Sequence, residues 1–341
     1  MHIDMQARPS GDRLEPVARA GLGAMLSLAK RDGAPSERAL RFIQSARDRI
    51  LRVDIDLDSL APVGPEELAE AVPETLWRER ILRGMTVLAM MDGDPSPEAL
   101  AFLEATASAL QIGAAPVKTY RRVLEDKENL VRLDILRRGF LKEAVSAFVK
   151  NEGLRGVVTT ALTILGQEDK AVAARYHTLD TYPEGSLGRA YADFITLNRF
   201  SYPGEVGGPP APIMRHDLCH VLGGYGTTAS EECAVIGFQA GFQKEDPFFI
   251  LMFTIAQFEL GIQASPFLPP SELEIDPDVV IAGIVHGSHV NTDIVGDPGW
   301  DPWDHFEESI ADLRTALNIV PRGREPEYLE YDSEGNIIVR A

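Results

Sequence analysis

The chain has 341 residues, 45% of them hydrophobic and 25% charged, enough for two domains that each bury a core. Its 33 basic side chains stand against 52 acidic ones, a formal charge of −19, which excludes nucleic acid as the expected partner because phosphate binding needs Lys and Arg. The same imbalance excludes electrostatic docking on anionic lipid, though not apolar contact with a membrane surface. No apolar run has the length of a transmembrane helix, and Met1 to Arg13 carries Asp4 and Asp12 where a signal peptide would be apolar. The two cysteines, Cys219 and Cys233, define no disulfide framework, so a reducing, cytoplasmic setting is expected.

In chain order, the pattern predicts an all-α protein of two helical domains: a flexible N-terminus over 1–15, a helical bundle with pseudo-two-fold symmetry over 16–115, a second helical domain over 116–321 and a tail over 322–341. Apolar residues recur at helical spacing in Leu22, Met25, Leu26 and Ala29, in Leu40, Ile43 and Ile50, and in Ile81, Met85 and Leu88. The segments Leu28–Leu40 and Ala89–Leu100 repeat one another, with Asp-Gly, Ser, Leu and Phe (Phe42, Phe102) in register. Each copy reads as helix, stop and new helix: Gly33 and Gly93 end the first, Ser36 and Ser96 cap the second, and Pro97 suits a first helical position. This repeated hairpin, over Pro16 to Gly113, resembles the tellurite-resistance TerB-like helical domain. The resemblance implies acidic loops that bind divalent cations, at Asp32 and Asp92, but the Asp-Gly pairs lack the alternating acids of a calcium loop and read as helix-ending turns.

Further amphipathic helices are expected through Tyr120, Val123 and Leu124 and then Leu133, Leu136, Phe140, Leu141, Val145 and Phe148, with Ala114–Pro116 as the domain boundary. Glu205 to Pro212 is a Gly- and Pro-rich loop. In the tail, Tyr328 to Val339 forms a short hairpin around Asp332–Asn336.

The chemistry concentrates in the C-terminal half, where six of the seven histidines lie between His177 and His305. Pro209, Pro210 and Pro212 can start a helix that Gly223, Gly224 and Gly226 stop. At about 100° per residue, Ile213, His216, Asp217 and His220 share one face of it. Two imidazoles and a carboxylate are costly to bury without partners, and histidines four apart can point at one ion. Thr228–Glu231 fits a capping box, in which Glu231 reaches back to the Thr228 amide, leaving Glu232 as a further ligand. Two histidines with two carboxylates suit a divalent metal, zinc first, with manganese, iron(II) or magnesium as alternatives. Cys219 points away from this face and packs.

His216, Asp217 and His220, followed after eleven residues by Glu232, resemble the signature of the COQ4 family of ubiquinone-biosynthesis proteins. Pro183–Tyr191, Asp301–Trp303, Leu313–Arg314 and Leu317–Ile319 resemble its flanking segments, so the likeness extends from about Val117 to Pro321; Cys219 departs from it, standing where many relatives carry an aromatic residue. The resemblance implies a helical domain with a divalent metal on those four residues. It also implies removal of the ring carboxylate, with oxidation at that carbon, from a prenylated hydroxybenzoate-derived precursor. A scaffolding role toward other quinone-biosynthesis enzymes, peripheral contact with an inner membrane and a homodimer accompany that expectation.

Phe248–Phe253, continuing through Ile255, Phe258, Leu260 and Ile262, is expected as core, with a tunnel for an isoprenoid tail as the alternative. His286 and His289 are expected in solvated or capping positions. A rival arrangement, that of HD-type metal phosphohydrolases, would join His177, His216, Asp217 and Asp293 but gives His220 and Glu232 no role. A third keeps the metal structural in a scaffold or lipid-binding protein.

Overall fold

The computed structural model describes residues 11–31, 33–92, 95–125, 150, 168–244, 247–261 and 275–338, and among them the regular elements are helical. The N-terminal half contributes α1 (Leu14–Ala29), α2 (Glu37–Ser45, running on as a widened π turn, Ala46–Leu51), α3 (Pro65–Ala71), α4 (Thr75–Met91), α5 (Pro97–Ala109) and α6 (Ala115–Leu124). The rest follows as α7 (Lys170–His177), α8 (Leu187–Asn198), α9 (Met214–Gly223), α10 (Ala229–Phe242), α11 (Pro247–Phe258), α12 (Pro277–Gly287), α13 (Pro302–His305) and α14 (Ile310–Ala316). The expected helices through Leu133, Leu136, Phe140, Leu141, Val145 and Phe148 lie outside the described residues, as do Asp32, Gly93, Ile262 and Val339.

The internal repeat forms as its caps dictate. The hydroxyls of Ser36 and Ser96 each accept from the backbone N–H three residues on, at 3.0 Å, and Pro97 opens α5. The Ser36 hydroxyl also donates to Asp92 at the end of α4, so the cap of one copy is tied to the stop of the other.

The position expected as a domain boundary is a helix start. Ala114 is the N-cap of α6, which packs on α4 and α5 of the bundle, and the Tyr120 hydroxyl accepts from the Ser96 N–H at 2.9 Å. One apolar core joins Leu22, Met85 and Leu88 to Leu187, Phe238 and Ile284 without interruption. Polar contacts cross between the halves as well: Arg38 with Glu259, and the Ser45 hydroxyl with Asp278 at the start of α12. The tail closes over the widened turn of α2, where Arg49 and Ile50 carbonyls accept from the Leu329 N–H (2.8 Å) and the Tyr331 hydroxyl (2.6 Å). Its hairpin is a single bridge, Tyr331 to Ile337, around a turn in which Asp332 accepts from the N–H groups of Glu334 and Asn336.

Among the described residues, α10 and α12 pack against each other over the most extensive helix–helix contact. A Cβ on Gly237 would overlap the Val280 carbonyl, and one on Gly287 would overlap the Phe238 carbonyl, so glycine is what lets these backbones touch. That contact fixes α10, which carries Glu232.

Candidate metal centre

α9 is short but held at both ends. It grows from a single 3-10 turn, Ala211–Ile213, and ends at Gly224, whose φ of +78° no branched residue adopts without strain. Arg215, buried, donates to the carbonyls of Ile294 (3.1 Å), Val295 (3.2 Å), Asp297 (3.2 Å) and Trp300 (2.7 Å), so its charge meets acceptors on every side. At the other end Arg314 donates to the carbonyls of Leu222 (2.8 Å) and Val221 (3.0 Å).

Among the described residues, His216, His220 and Glu232 form a group whose ligand atoms lie close enough to share an ion. The Nε2 atoms of His216 and His220 are 3.3 Å apart, and Glu232 Oε2 lies 3.6 Å from the first and 3.5 Å from the second. The other ring nitrogens are engaged elsewhere: His216 Nδ1 lies 3.0 Å from Gln239 Oε1, and His220 Nδ1 lies 2.9 Å from the Gly226 carbonyl. A carbonyl only accepts, so His220 Nδ1 carries the proton and Nε2 keeps its lone pair. The Gln239 amide nitrogen donates to Gln243 Oε1 at 3.3 Å, which turns its oxygen toward His216 and fixes the same tautomer there. Two lone pairs and a carboxylate oxygen therefore converge on one point. In tetrahedral coordination with metal–ligand bonds of about 2.05 Å, neighbouring ligand atoms are about 3.3 Å apart, so the triangle is the right size for one face of a zinc-type site. Phe194 stacks on the His220 ring, with centroids 5.3 Å apart.

The electrostatics agree that this point attracts positive charge. Burial would raise the Glu232 carboxyl, but the two imidazoles beside it override that and hold the group at about 2. Burial would lower His216, and Glu232 reverses the sign and raises it.

Asp217 stands outside the triangle. On a helix it lies about 100° from His216 and about 60° from His220, and it faces the buried Tyr191 of α8. Burial pushes its carboxyl up to about 6, against the pull of both imidazoles. Thr228 caps α10, its hydroxyl accepting from the Glu231 N–H at 3.4 Å. Glu231, however, does not reach back to Thr228: its carboxylate accepts from the Gly226 N–H (3.1 Å) and Arg322 (3.1 Å), because the turn before the helix brings Gly226 within reach. Glu232, one position on, faces α9. Cys219 is fully buried with its thiol against the Arg215 carbonyl, and burial raises it well above the usual range, as fits a packing residue.

Gln239, Gln243, Gly226 and Arg215 escaped the motif. One signal for the glutamines existed: Glu232, Gln239 and Gln243, seven and eleven residues apart, make a polar stripe on an otherwise apolar helix.

The structure differs from one further expectation and does not form the rival arrangement. His286 and His289 are buried, at 1% and 2% exposure, because the tail and α10 cover α12; His286 Nδ1 lies 2.6 Å from the Tyr225 hydroxyl and its Nε2 2.8 Å from the Val320 carbonyl. The arrangement with His177 and Asp293 is not assembled. His177 is exposed beside Glu205 (2.8 Å), and Asp293 is occupied by the N–H groups of Lys244, Val295 and Gly296. No helix among the described residues is long and apolar enough to cross a membrane. Phe248, Ile250, Met252 and Ile255 of α11 are core residues, as expected.

A scan against protein-family models finds no match to this chain, and neither does a search of curated proteins.

Proposed function

We propose that this chain is a metal-dependent protein of prenylated-quinone biosynthesis, of the kind its COQ4-like motif suggests. His216, His220 and Glu232 would hold a divalent cation, zinc by preference, while Asp217, the fourth residue of the motif, faces Tyr191 beside the site. The observation that carries the proposal is the convergence of two Nε2 lone pairs and one carboxylate oxygen within 3.3–3.6 Å, with both Nδ1 atoms occupied by fixed acceptors. Two imidazoles with carboxylate suit zinc, and also manganese, iron(II) or magnesium.

A second support is spatial. Two of the segments that carry the resemblance, far apart in sequence, are tied into this region: Pro183–Tyr191 hydrogen-bonds the stretch that links Asp301–Trp303 to Leu313–Arg314, and Arg314 reaches α9. Leu187 N–H donates to the Glu308 carbonyl, Gly188 N–H to Phe306 and Ile310 N–H to Gly185, each at 2.9 Å, while Arg314 caps α9 itself.

The cation, when bound, supplies Lewis-acid stabilisation of negative charge as a ring carbon loses its carboxyl group. The chain's own residues keep the site in order. Gln239 and the Gly226 carbonyl hold both imidazoles in the ligating tautomer, and Phe194 covers one face of His220. The substrate is a prenylated hydroxybenzoate-derived precursor: the ring carbon loses its carboxyl group as CO2 and gains a hydroxyl from water, and the two electrons and two protons released leave to an external two-electron acceptor.

The test is complementation of a quinone-deficient strain with His220→Ala beside the unaltered chain, following loss of a labelled ring carboxylate. The proposal expects no rescue by the variant. Full rescue would leave the chain as a scaffold or lipid-binding partner of the other enzymes, with the metal at most structural.

A further inference from the structure

The bundle and the C-terminal helices do not close fully against each other. Between them is a cavity of about 230 Å³, walled by Val17 of α1, Val87 of α4, Phe248 and Leu251 of α11, Ile284 of α12 and Leu329 of the tail. An engineered apolar cavity of about 150 Å³ already admits benzene, so this one has room for a flexible hydrocarbon segment. None of His216, His220, Glu232 or Gln239 lines it, so it is separate from the candidate metal centre.

Among the described residues its charged lining has one sign: Arg80 and Arg83 of α4 reach it and no described acidic side chain does, in a chain whose formal charge is −19. Arg80 stacks on Trp77, 4.8 Å from the ring centroid, and Arg83 lies 3.9 Å from Glu79, both held along the same stretch of helix. An apolar chamber with cations on one wall matches a molecule with a hydrocarbon chain and an anionic head.

We infer that this cavity binds a single-chain anionic amphiphile, with the chain between α1, α4, α11 and α12 and the head at Arg80 and Arg83. Because its walls come from both halves of the molecule, such a ligand stabilises their packing, binding the assembled form and not the separated one. The inference does not depend on the quinone reading.

The test uses the full chain, stripped of lipid, titrated calorimetrically with dodecanoate, 1-dodecanol and dodecyltrimethylammonium below their micellar concentrations. One saturable site is expected, with dodecanoate bound at least about tenfold more tightly than the cationic amphiphile, as a single ion pair in a partly buried setting would give. Gly84→Leu fills the cavity from α4: a Cβ there meets only the flexible end of Met25, and leucine favours the helix. Leu251→Trp fills it from the opposite wall. Each variant is expected to weaken dodecanoate by about tenfold or more, the loss of a buried chain segment, while leaving metal content unchanged. Arg80→Gln with Arg83→Gln is expected to abolish the preference for dodecanoate over dodecanol and to leave dodecanol binding intact. Three results each overturn the inference: no saturable binding of any of the three probes, as would follow if the chain itself fills the cavity; unchanged dodecanoate binding in both filling variants; or equal affinity for the carboxylate and the quaternary ammonium.

Discussion

His286 and His220 are both buried, at 1% and 3% exposure, yet their ring nitrogens face different chemistry. His286 sits between the Tyr225 hydroxyl and the Val320 carbonyl, a donor on one side and an acceptor on the other, so a neutral ring satisfies both. Burial holds it there, with its pKa lowered from 6.5 to about 4. His220 and His216 are instead anchored at Nδ1 by acceptors, which leaves both Nε2 lone pairs facing each other beside Glu232. The comparison teaches that neither burial nor proximity of histidines marks an ion site. What marks it is the partner on the far nitrogen, because that partner decides which nitrogen has a lone pair to offer.

The most severe way to break this contrast is to remove a ligand. Structural zinc sites bind with about 10–16 kcal/mol shared among a few side chains, so His220→Ala is expected to weaken metal binding by roughly 10²- to 10³-fold, while His286→Gln leaves it unchanged. Metal per chain after dialysis against a weak chelator measures both.

Next comes acid. Because the folded pKa of His286 is about 4 and its ordinary value is 6.5, the unfolded chain binds more protons between those values. Stability contributed by the neutral ring is therefore complete above about pH 6.5 and is lost as the pH falls toward 4, by on the order of 2–3 kcal/mol. Denaturant unfolding against pH should show this loss in the native chain and a shallower one in His286→Gln; parallel curves would show that His286 is not the titrating group.

Smaller in free energy is the supporting shell. Gln239→Leu removes the acceptor that sets the His216 tautomer and is expected to cost about 10- to 100-fold in metal affinity, with little change in fold. Unchanged affinity would mean that Gln239 packs without orienting. Smallest is Tyr225→Phe, which deletes one hydrogen bond to His286 and should lower stability by about 1 kcal/mol with no effect on metal content.

Much of this contrast was legible in the sequence, though unevenly. The helical class and the Ser36, Ser96 and Thr228 caps follow from local rules acting within a few residues, whereas Glu231 is kept from the site by Gly226 and Arg322 and not by the expected capping box. The pairing of His216 with His220 follows from helical spacing. At about 100° per residue Asp217 shares a broad face with the two histidines, yet within that face it stands about 100° from His216 and turns toward Tyr191 of α8, a choice that packing makes and spacing does not. The burial of His286 depends on Tyr225 and on Val320, contacts that no local pattern announces. The same is true of the seam between the halves. Gly237, Gly241, Gly283 and Gly287 can be seen to recur every fourth residue within their helices, but not that the two sets face each other. The cavity belongs to this class, since its walls come from five helices and the tail.

The central claim is that His216, His220 and Glu232 bind a metal through two Nε2 atoms and a carboxylate. X-ray absorption at the metal edge, on the full chain purified from metal-replete medium and on His216→Ala prepared alongside, tests it most directly. The account predicts about one divalent ion per chain with imidazole nitrogen and carboxylate oxygen ligands at about 2.0–2.2 Å, lost in the variant. A chain that takes up no divalent ion even on titration, or an ion whose ligation is unchanged in His216→Ala, would contradict it.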